Sequence, residues 1–577
     1  MPTIIGFDTE TNQGPPITVQ FYSEQLPQVN VCLFVNGKNV VDKTLRHLAK
    51  HCKSGEYIVY GHNLTFDLLS LFYPVCEKLV MKKGAFEFSH RDWIIRGVYG
   101  SPTFCTLTRG DTEIFFADGY SWFRTSLMRA AELICPQLEK LPHPEGFGVT
   151  EYTAKDTDFI EYAMRDAQVS YHVGLAIDAM HSEFDLRQSC SVADMASRIF
   201  QQHYIHEAAP IWTAGRVMQG GALASYHGGK NNVIAGAAPA WHSHVDAWDL
   251  SSAYPHAMTQ APAFSKKNLY AKSRVFNSRA PHFPDHGIFC ITGEVPHCDW
   301  PVFFMDNTKG HMAPVRGKFE KLWVTGYELN EARRAGEVKL SSVFGHVYDT
   351  DKDPVTETGL QRYVKDFYAM KQDADNEVHR YLYKVLLNSL YGKFIQSREL
   401  EPDGTGKVSW RNGPLYHPFL ASLITGHTRS VMHRLEHQVE AIHTATDGVY
   451  CGSRNSPKNG VFDWAPQSGI GAITSEGHNM ELGLLRNKLY VMYSADPKSG
   501  WRSFIRPNRY VTKYAKHGFQ GSPKQLEEAC VKHDRTYTVD KPNTLKTALN
   551  RGLIPNKFER RELTLNVAPI TVHYDWS

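Results

Sequence analysis

Asp8-Thr9-Glu10 closes the apolar run 3–7, and on a strand the i,i+2 spacing sets both carboxylates on one face. Two more acids follow in order. Asn63-Leu64-Thr65-Phe66-Asp67 comes directly after the strand-like run 57–60 and puts a third carboxylate at a strand-to-helix junction. Tyr162 and Asp166 lie in a helical stretch, where i,i+4 spacing turns the phenol and the carboxylate to the same side. Four acids converging on one site repel strongly unless divalent cations neutralise them, and oxygen-only sites suit Mg²⁺ or Mn²⁺. Two such ions clamp the attacking and leaving oxygens of an in-line phosphodiester displacement. Each piece alone is weak, since D-x-E arises by chance and Tyr162 with Asp166 also fits an ordinary helix surface. The ordered set is much stronger.

The rest of the chain reads as a multidomain α/β and α+β protein. Its 577 residues suggest three or four domains. Strand-like runs at 3–7, 17–22, 29–35 and 57–60 alternate with turns and one helix-like stretch, 120–190 reads mostly helical, and Gly-rich sequence at 215–236 marks a boundary. Short strands follow at 241–310, then the longest helical region at 359–396 and a turn cluster at 401–406. Hydrophobic residues at 42% and charged residues at 21% exclude wholesale disorder. Ten cysteines without a C-x-x-C pair argue against a disulfide scaffold or a zinc ribbon. No stretch approaches 18 uncharged apolar residues, and the opening MPTIIGFDTE lacks the signal-peptide pattern, so the expected home is a reducing host cytoplasm. The net charge of +3 hides an asymmetry: residues 501–577 hold 14 Lys+Arg against 7 Asp+Glu. A basic block interleaved with aromatics suits a polyanion, though a solvated basic surface reads the same way.

Several patterns carry no function. Gly228-Gly229-Lys230-Asn231 lacks the upstream Gly and the Ser/Thr of a P-loop. Asn63-Leu64-Thr65 is a glycosylation sequon without a secretory context. His282, His286, Cys290 and Cys298 can be drawn as a metal set, but their strand-and-turn neighbourhood argues against zinc.

Three further signals stand in order. Asp249-Leu250-Ser251-Ser252-Ala253-Tyr254-Pro255 ends a strand with an acid and then presents an aromatic. A helical stretch sets Lys384, Asn388 and Tyr391 on one face, with Arg380 extending the stripe, so that a cation can meet a triphosphate and an aromatic a base. Thr444-Ala445-Thr446-Asp447-Gly448-Val449 sits between apolar runs like a hairpin tip. A strand-end turn, an amphipathic core helix and a plain hairpin would explain them one at a time. Their order and spacing make coincidence implausible.

The first trio resembles the three motifs of DEDD-type 3′→5′ proofreading exonucleases, in the version whose third motif is Y-x-x-x-D. By that resemblance Asp8, Glu10, Asp67 and Asp166 are metal ligands, Tyr162 orients the attacking water, Asn63 and Phe66 contact the 3′ end, and Lys140 assists. The later three resemble motifs A, B and C of family B DNA polymerases. Tyr226-His227-Gly228-Gly229 resembles the Y-x-G-G linker, residues 425–429 the T-x-x-x-R motif, and Lys488-Leu489-Tyr490 the K-x-Y motif. The modest size and the long segment between Pro255 and Lys371 are similar to the protein-primed branch, the polymerases of φ29-type phages.

The resemblance implies an RNase H-like exonuclease domain followed by a right hand of palm, fingers and thumb with insertions. The divisions are 1–188 exonuclease, 189–260 palm with motif A, 261–358 an insertion like the terminal-protein-binding region, 359–396 fingers, 397–418 a second short insertion, 419–500 palm with motif C, and 501–577 thumb. It further implies that Asp249 and Asp447, with the Leu250 carbonyl, hold two Mg²⁺ (or Mn²⁺). Lys371 and Lys384 hold the triphosphate, Tyr254, Asn388 and Tyr391 the nascent pair, and Arg429, Lys488 and Tyr490 the primer strand, with Tyr226, Gly228 and Gly229 also on DNA. The implied partners are template and primer DNA, dNTPs and a terminal priming protein, met by a monomer. Two departures stand out: Ala253 replaces the usual Leu of motif A, and Ala445 replaces the first Asp of motif C. The second leaves open a primer-independent polymerase, or a nuclease or DNA-binding protein with a silent polymerase site.

Overall fold

The structure, a computed structural model, describes the chain apart from residues 1, 12–15, 73, 76–83, 101, 139–140, 145–151, 206–215, 235, 263–271, 297, 307–311, 348–357, 400–409, 458–459, 517–518, 534–535, 543–557 and 565–577. It forms two compact units. One comprises Met1–Ile199, Phe367–Leu386 and Asp540–Arg561, the other Phe200–Asp366, Leu387–Val539 and Glu562–Ser577.

In the first unit β1 (Thr3–Thr11), β2 (Pro16–Tyr22), β3 (Val31–Phe34), β4 (Gly55–Gly61), β5 (Gly84–His90), β6 (Trp93–Tyr99), β7 (Phe104–Arg109) and β8 (Thr112–Asp118) make one sheet in the order β3-β2-β1-β4-β8-β7-β6-β5. Its centre, β1-β4-β8, is parallel and the flanks are antiparallel. A parallel strand is covered on both faces, and β1 is buried along nearly its whole length. Ile5 and Phe7 face a core with Leu45, Leu48, Leu68 and Leu71 from the helices Val40–His51 and Leu64–Phe72. The other face takes the helix Thr157–Glu183, and Gly6 is what admits it. A Cβ at residue 6 would stand 1.9 Å from the Ala167 carbonyl oxygen and 2.6 Å from the Tyr171 nitrogen. Gly6, Asp8 and Glu10 share a face by the period of two, so the helix that touches Gly6 also meets both carboxylates.

In the second unit the helix Arg216–Ser225 precedes β9 (Lys230–Val233) and β10 (Ala240–Leu250). Within the 261–358 insertion, β11 (Lys272–Phe276), β12 (Gly287–Val295), β15 (Gly317–Thr325) and β16 (Lys339–Val347) form a separate antiparallel sheet, and β13 (Phe304–Asp306) pairs with β14 (Met312–Pro314). Phe283, Phe289, Val324 and Leu329 give this region its own core. Of the shorter insertion, 397–418, the described part is the ribbon of β17 (Ser397–Glu399) and β18 (Trp410–Asn412). The main sheet adds β19 (His443–Thr446), β20 (Gly448–Gly452), β21 (Ile473–Arg486), β22 (Leu489–Ser494), β23 (Trp501–Arg502) and β24 (Tyr510–Lys516), in the order β23-β24-β22-β21-β10-β20-β19-β9.

Three expectations need correction. The stretch 359–396 is two helices, Gly359–Asp373 and Glu377–Ser389, and a 3₁₀ turn, Tyr391–Ile395. Asn376 restarts the helix by accepting the His379 N–H at 2.9 Å, an N-cap that competes with continuation. The longest described helix is instead Thr157–Glu183, with 27 residues. Residues 367–386 group with the N-terminal unit: Tyr381 stacks on Phe123 at 5.5 Å, and the Tyr383 hydroxyl donates to Glu183 at 2.6 Å. The 501–577 block does not start as a separate body, because β23 and β24 continue the main sheet. The helix Pro523–Lys532 also buries Leu526, Ala529 and Cys530 against Leu485, Leu489 and Val491.

Candidate active sites

The first site lies where β1, β4 and β8 end on the same edge, the place where parallel sheets collect ligands. A cleft of about 230 Å³ there is lined by Asp8, Glu10, Asn63, Phe66, Asp67, Tyr162 and Asp166, with His62 and Leu127 beside them. Asp8, Glu10 and Asp166 each offer an oxygen within 4.8 Å of the other two. Three hard oxygen donors this close fit a divalent cation of the Mg²⁺ class. Asp67 is buried at one side and accepts the Thr9 hydroxyl at 2.6 Å. Burial raises its pKa to about 7, against the Thr9 bond and helped by the charge of Asp118. Burial first, then the charges of Glu10, Asp166 and Asp8, push the Tyr162 hydroxyl well above its ordinary value. Lys140 lies outside the described residues.

Sequence reasoning missed Asp118 and His62. Asp118 ends β8 and accepts the N–H groups of Asn63 at 2.9 Å, Leu64 at 3.2 Å and Tyr120 at 3.0 Å. It thereby caps the helix that carries Asp67 and holds Asn63 in its left-handed conformation, φ 68°. The His62 ring bonds the Thr125 carbonyl at 2.7 Å. An acid ending the apolar run 114–117 was the available signal, but it has no spacing partner.

The second site sits at the centre of the main sheet. Asp249, near the end of β10, pairs in register with Gly448, the residue after Asp447. The Leu250 N–H donates to the Asp447 carbonyl at 2.9 Å, which ties the two motifs together. The expected hairpin tip is present, with Thr446 in the left-handed region at φ 67°. Burial raises the Asp447 pKa. Tyr254 stacks on Tyr391 with ring centroids 3.9 Å apart. Gly229 lies against both motifs, since a Cβ there would be 2.6 Å from Thr446 and 2.9 Å from the Tyr254 hydroxyl. Tyr226 is half-buried near Tyr391, and Asn388 is half-buried at the end of its helix. Lys371, Arg380 and Lys384 come together in the first unit. Burial and the two neighbouring cations lower the Lys371 pKa, the mark of a cluster that favours an anion.

Other expected contacts are placed differently. Arg429 is fully buried: it pairs with Glu328 at 2.7 Å and donates to the carbonyls of Ser225, His227 and Gly228. Its guanidinium braces the 225–228 loop, which corrects the expectation of a direct strand contact. Tyr490 is buried too, its hydroxyl 2.5 Å from that of Tyr450. Lys488 is half-buried at the β21–β22 turn, with φ 56°. Gly228 keeps open space around its α-carbon. No motif or spacing marks Glu476 on β21 and Lys513 on β24, which form an ion pair. Burial acts against the Lys513 charge, but Glu476, Tyr490 and Asp249 outweigh it and raise its pKa. Burial raises the Tyr450 hydroxyl, and the charges of Glu476, Asp249 and Asp447 add to that, so all three acids act on one point.

No curated protein sequence matches the chain. The family described as DNA polymerase type B, organellar and viral, matches residues 149–401, which hold motifs A and B. Among solved structures, Phi29 DNA polymerase complexed with primer-template DNA is 14% identical with a TM-score of 0.69, covering 98% of this chain and 100% of that one. Its ternary complex with incoming nucleotide substrates is 14% identical with a TM-score of 0.67, and the orthorhombic crystal form 13% with 0.69, both at the same coverage. At such identity the likeness establishes the fold: an exonuclease body with palm, fingers and thumb. The chain thus carries the type B DNA polymerase signature over residues 149–401 and shares the fold of Phi29 DNA polymerase over nearly its whole length.

Proposed function

We propose that the chain is a DNA-templated DNA polymerase with a 3′→5′ proofreading exonuclease, and that it replicates a linear phage or plasmid genome from a protein primer. The observation that carries the reading is that motif acids remote in sequence fall together twice, once in each unit. The similar structures hold primer-template DNA and incoming nucleotides, which supports those partners here. Its setting in this reading is the host cytoplasm, where it works as a monomer; among the described residues no helix is long and apolar enough to cross a membrane.

When bound, a pair of Mg²⁺ or Mn²⁺ ions at each site supplies nucleophile activation and charge neutralisation. In the exonuclease Asp8, Glu10, Asp67 and Asp166 would hold them, Tyr162 would orient the attacking water, and Asn63 and Phe66 would hold the 3′ end. In the palm Asp249, Asp447 and the Leu250 carbonyl would hold them, with Glu476 as the acid that replaces what Ala445 lacks. Tyr254 on Tyr391 forms a rigid floor under the incoming sugar, where a 2′-hydroxyl would collide. Lys371 and Lys384 meet the triphosphate by charge. The 261–358 insertion, with its own core, offers the surface for a priming protein.

Primed-template extension with dNTPs and Mg²⁺ tests the reading. The unmodified chain should extend, Asp447→Ala should not, and Ala445→Asp should lower the Mg²⁺ needed for half-maximal rate. Asp8→Ala with Glu10→Ala should abolish degradation of single-stranded 3′ ends and leave extension intact. Product on unprimed template would reject obligate protein priming. No synthesis by the unmodified chain, restored by Ala445→Asp, would favour the silent-polymerase reading that Ala445 motivates.

A further inference from the structure

The helix Pro418–Val439 presents His433 and His437 one turn apart, on one face by their i,i+4 spacing. Two loops approach that face. One carries Cys298 just before Trp300, the other carries Glu337 three residues beyond the helix Gly326–Arg334. The Cys298 sulfur, a Glu337 carboxylate oxygen and a His437 ring nitrogen all lie within 4.8 Å of one another. Cys298 Sγ is 3.2 Å from Glu337 Oε1 and 3.9 Å from His437 Nε2, and His437 Nε2 itself bonds Glu337 Oε1. A tetrahedral ion with ligands at about 2.0–2.3 Å has donor–donor edges of roughly 3.3–3.6 Å. Two of the three edges are therefore near that length, and only the His437–Glu337 edge has to open.

The surroundings hold these donors in place. Glu337 is buried, and its second oxygen lies 3.1 Å from His433 Nε2. The other nitrogen of that fully buried imidazole reaches Glu331 at 3.2 Å, and Arg334 and Arg434 bind Glu331 in turn at 2.5 and 3.0 Å. The Trp300 N–H points at the Cys298 sulfur from 3.3 Å, a bond that a thiolate accepts well. Such outer bonds orient metal-binding carboxylates and raise affinity. The donor chemistry also differs from that of both carboxylate sites. Thiolate and imidazole select zinc-class ions, whereas carboxylates alone select Mg²⁺.

We propose that Cys298, Glu337 and His437 bind a divalent transition metal of the zinc class, with water as the fourth ligand. The ion pins the Cys298 loop and the end of the Gly326–Arg334 helix to the helix Pro418–Val439. Of the set drawn from sequence, only Cys298 belongs to it. His286 bonds the Gln260 carbonyl, and His282 lies beside Asp285 and Asn330.

Titrating the full-length reduced protein with Co²⁺ tests this directly, because only a thiolate ligand gives a sulfur-to-cobalt charge-transfer band in the near ultraviolet. The band should saturate at one equivalent per chain, in Mg²⁺ excess, and bleach when Zn²⁺ is added. Cys298→Ser and His437→Gln should abolish it. Glu337→Gln should weaken Co²⁺ at least tenfold, and His433→Gln should keep the band while weakening the metal about 10–100-fold. Should Cys298→Ser fail to fold by circular dichroism, His437→Gln and Glu337→Gln decide the matter. No thiolate band in the unmodified protein, or a band that survives in folded Cys298→Ser or His437→Gln, overturns the site.

Discussion

Gly6 shows how one absent side chain sets a site. Its α-carbon lets the Thr157–Glu183 backbone come so close that a Cβ would meet the Ala167 carbonyl at 1.9 Å, and no rotamer change relieves a clash between backbones. Gly6→Ala should therefore push the helix off β1 and carry Tyr162 and Asp166 away from Asp8 and Glu10. Over-packing of this kind costs about 1–3 kcal/mol or more. The expected outcome is at least a tenfold loss of 3′ degradation with DNA-primer extension retained, measured side by side. Equal loss of both would point to general unfolding instead. The acids were legible at this scale because their types and spacings announce chemistry, but Gly6 was not. Its role depends on a helix some 150 residues away in the sequence.

Among the elements, the helix Leu64–Phe72 is the clearest case of support from outside. Asp118, at the end of a neighbouring strand, accepts the two backbone N–H groups at its start, those of Asn63 and Leu64, as well as that of Tyr120, and so fixes where Asp67 points. Asp118→Ala strands those donors, and losing a cap of this kind costs about 1–2 kcal/mol. We expect a lower melting temperature and slower 3′ degradation, while Asp118→Asn, which keeps the acceptor oxygen, should restore most of both. A normal Asp118→Ala exonuclease would remove the positioning role. Strands β1 to β4 were readable from apolar runs, since burial on both faces leaves an unbroken signature. The break at 374–376 was not, because helix propensity on either side masks a local Asn cap.

For the whole molecule, the insertion and the buried histidines make separate predictions. The 261–358 region has its own core, so reversing exposed charges on it should impair protein-primed initiation more than extension of a DNA primer. Equal loss in both assays would count against a docking role. Acid should weaken both units. Burial lowers the pKa of His181 in the first unit to about 4, and of His417, His427 and His443 in the second to about 4, 3 and 4. With folded values below the ordinary 6.5, the unfolded chain binds more protons between about pH 4 and 6.5. Stability is then complete above pH 6.5 and is lost as the pH falls, by about 3 kcal/mol per histidine on reaching pH 4. Thermal unfolding followed from pH 8 to pH 4 should show a plateau and then a steep drop. His417→Asn, which keeps an acceptor for the Leu420 N–H, should flatten it.

By itself the sequence determined which acids occur, in what order, and which lie on strands or helices, because period and spacing are local properties of a chain. Asp8, Glu10, Asp67, Tyr162 and Asp166 could be named that way, and so could Asp249 and Asp447. Only the tertiary structure decided what each meets. It buried Arg429 against Glu328, brought Glu476 to act with Asp249 and Asp447, and set Cys298 beside Glu337 and His437 rather than beside its sequence neighbours. Those pairings span about 30 to 230 positions along the chain. They arise when whole elements pack to bury their apolar faces, and a contact made by packing leaves no mark on the spacing of the residues that make it.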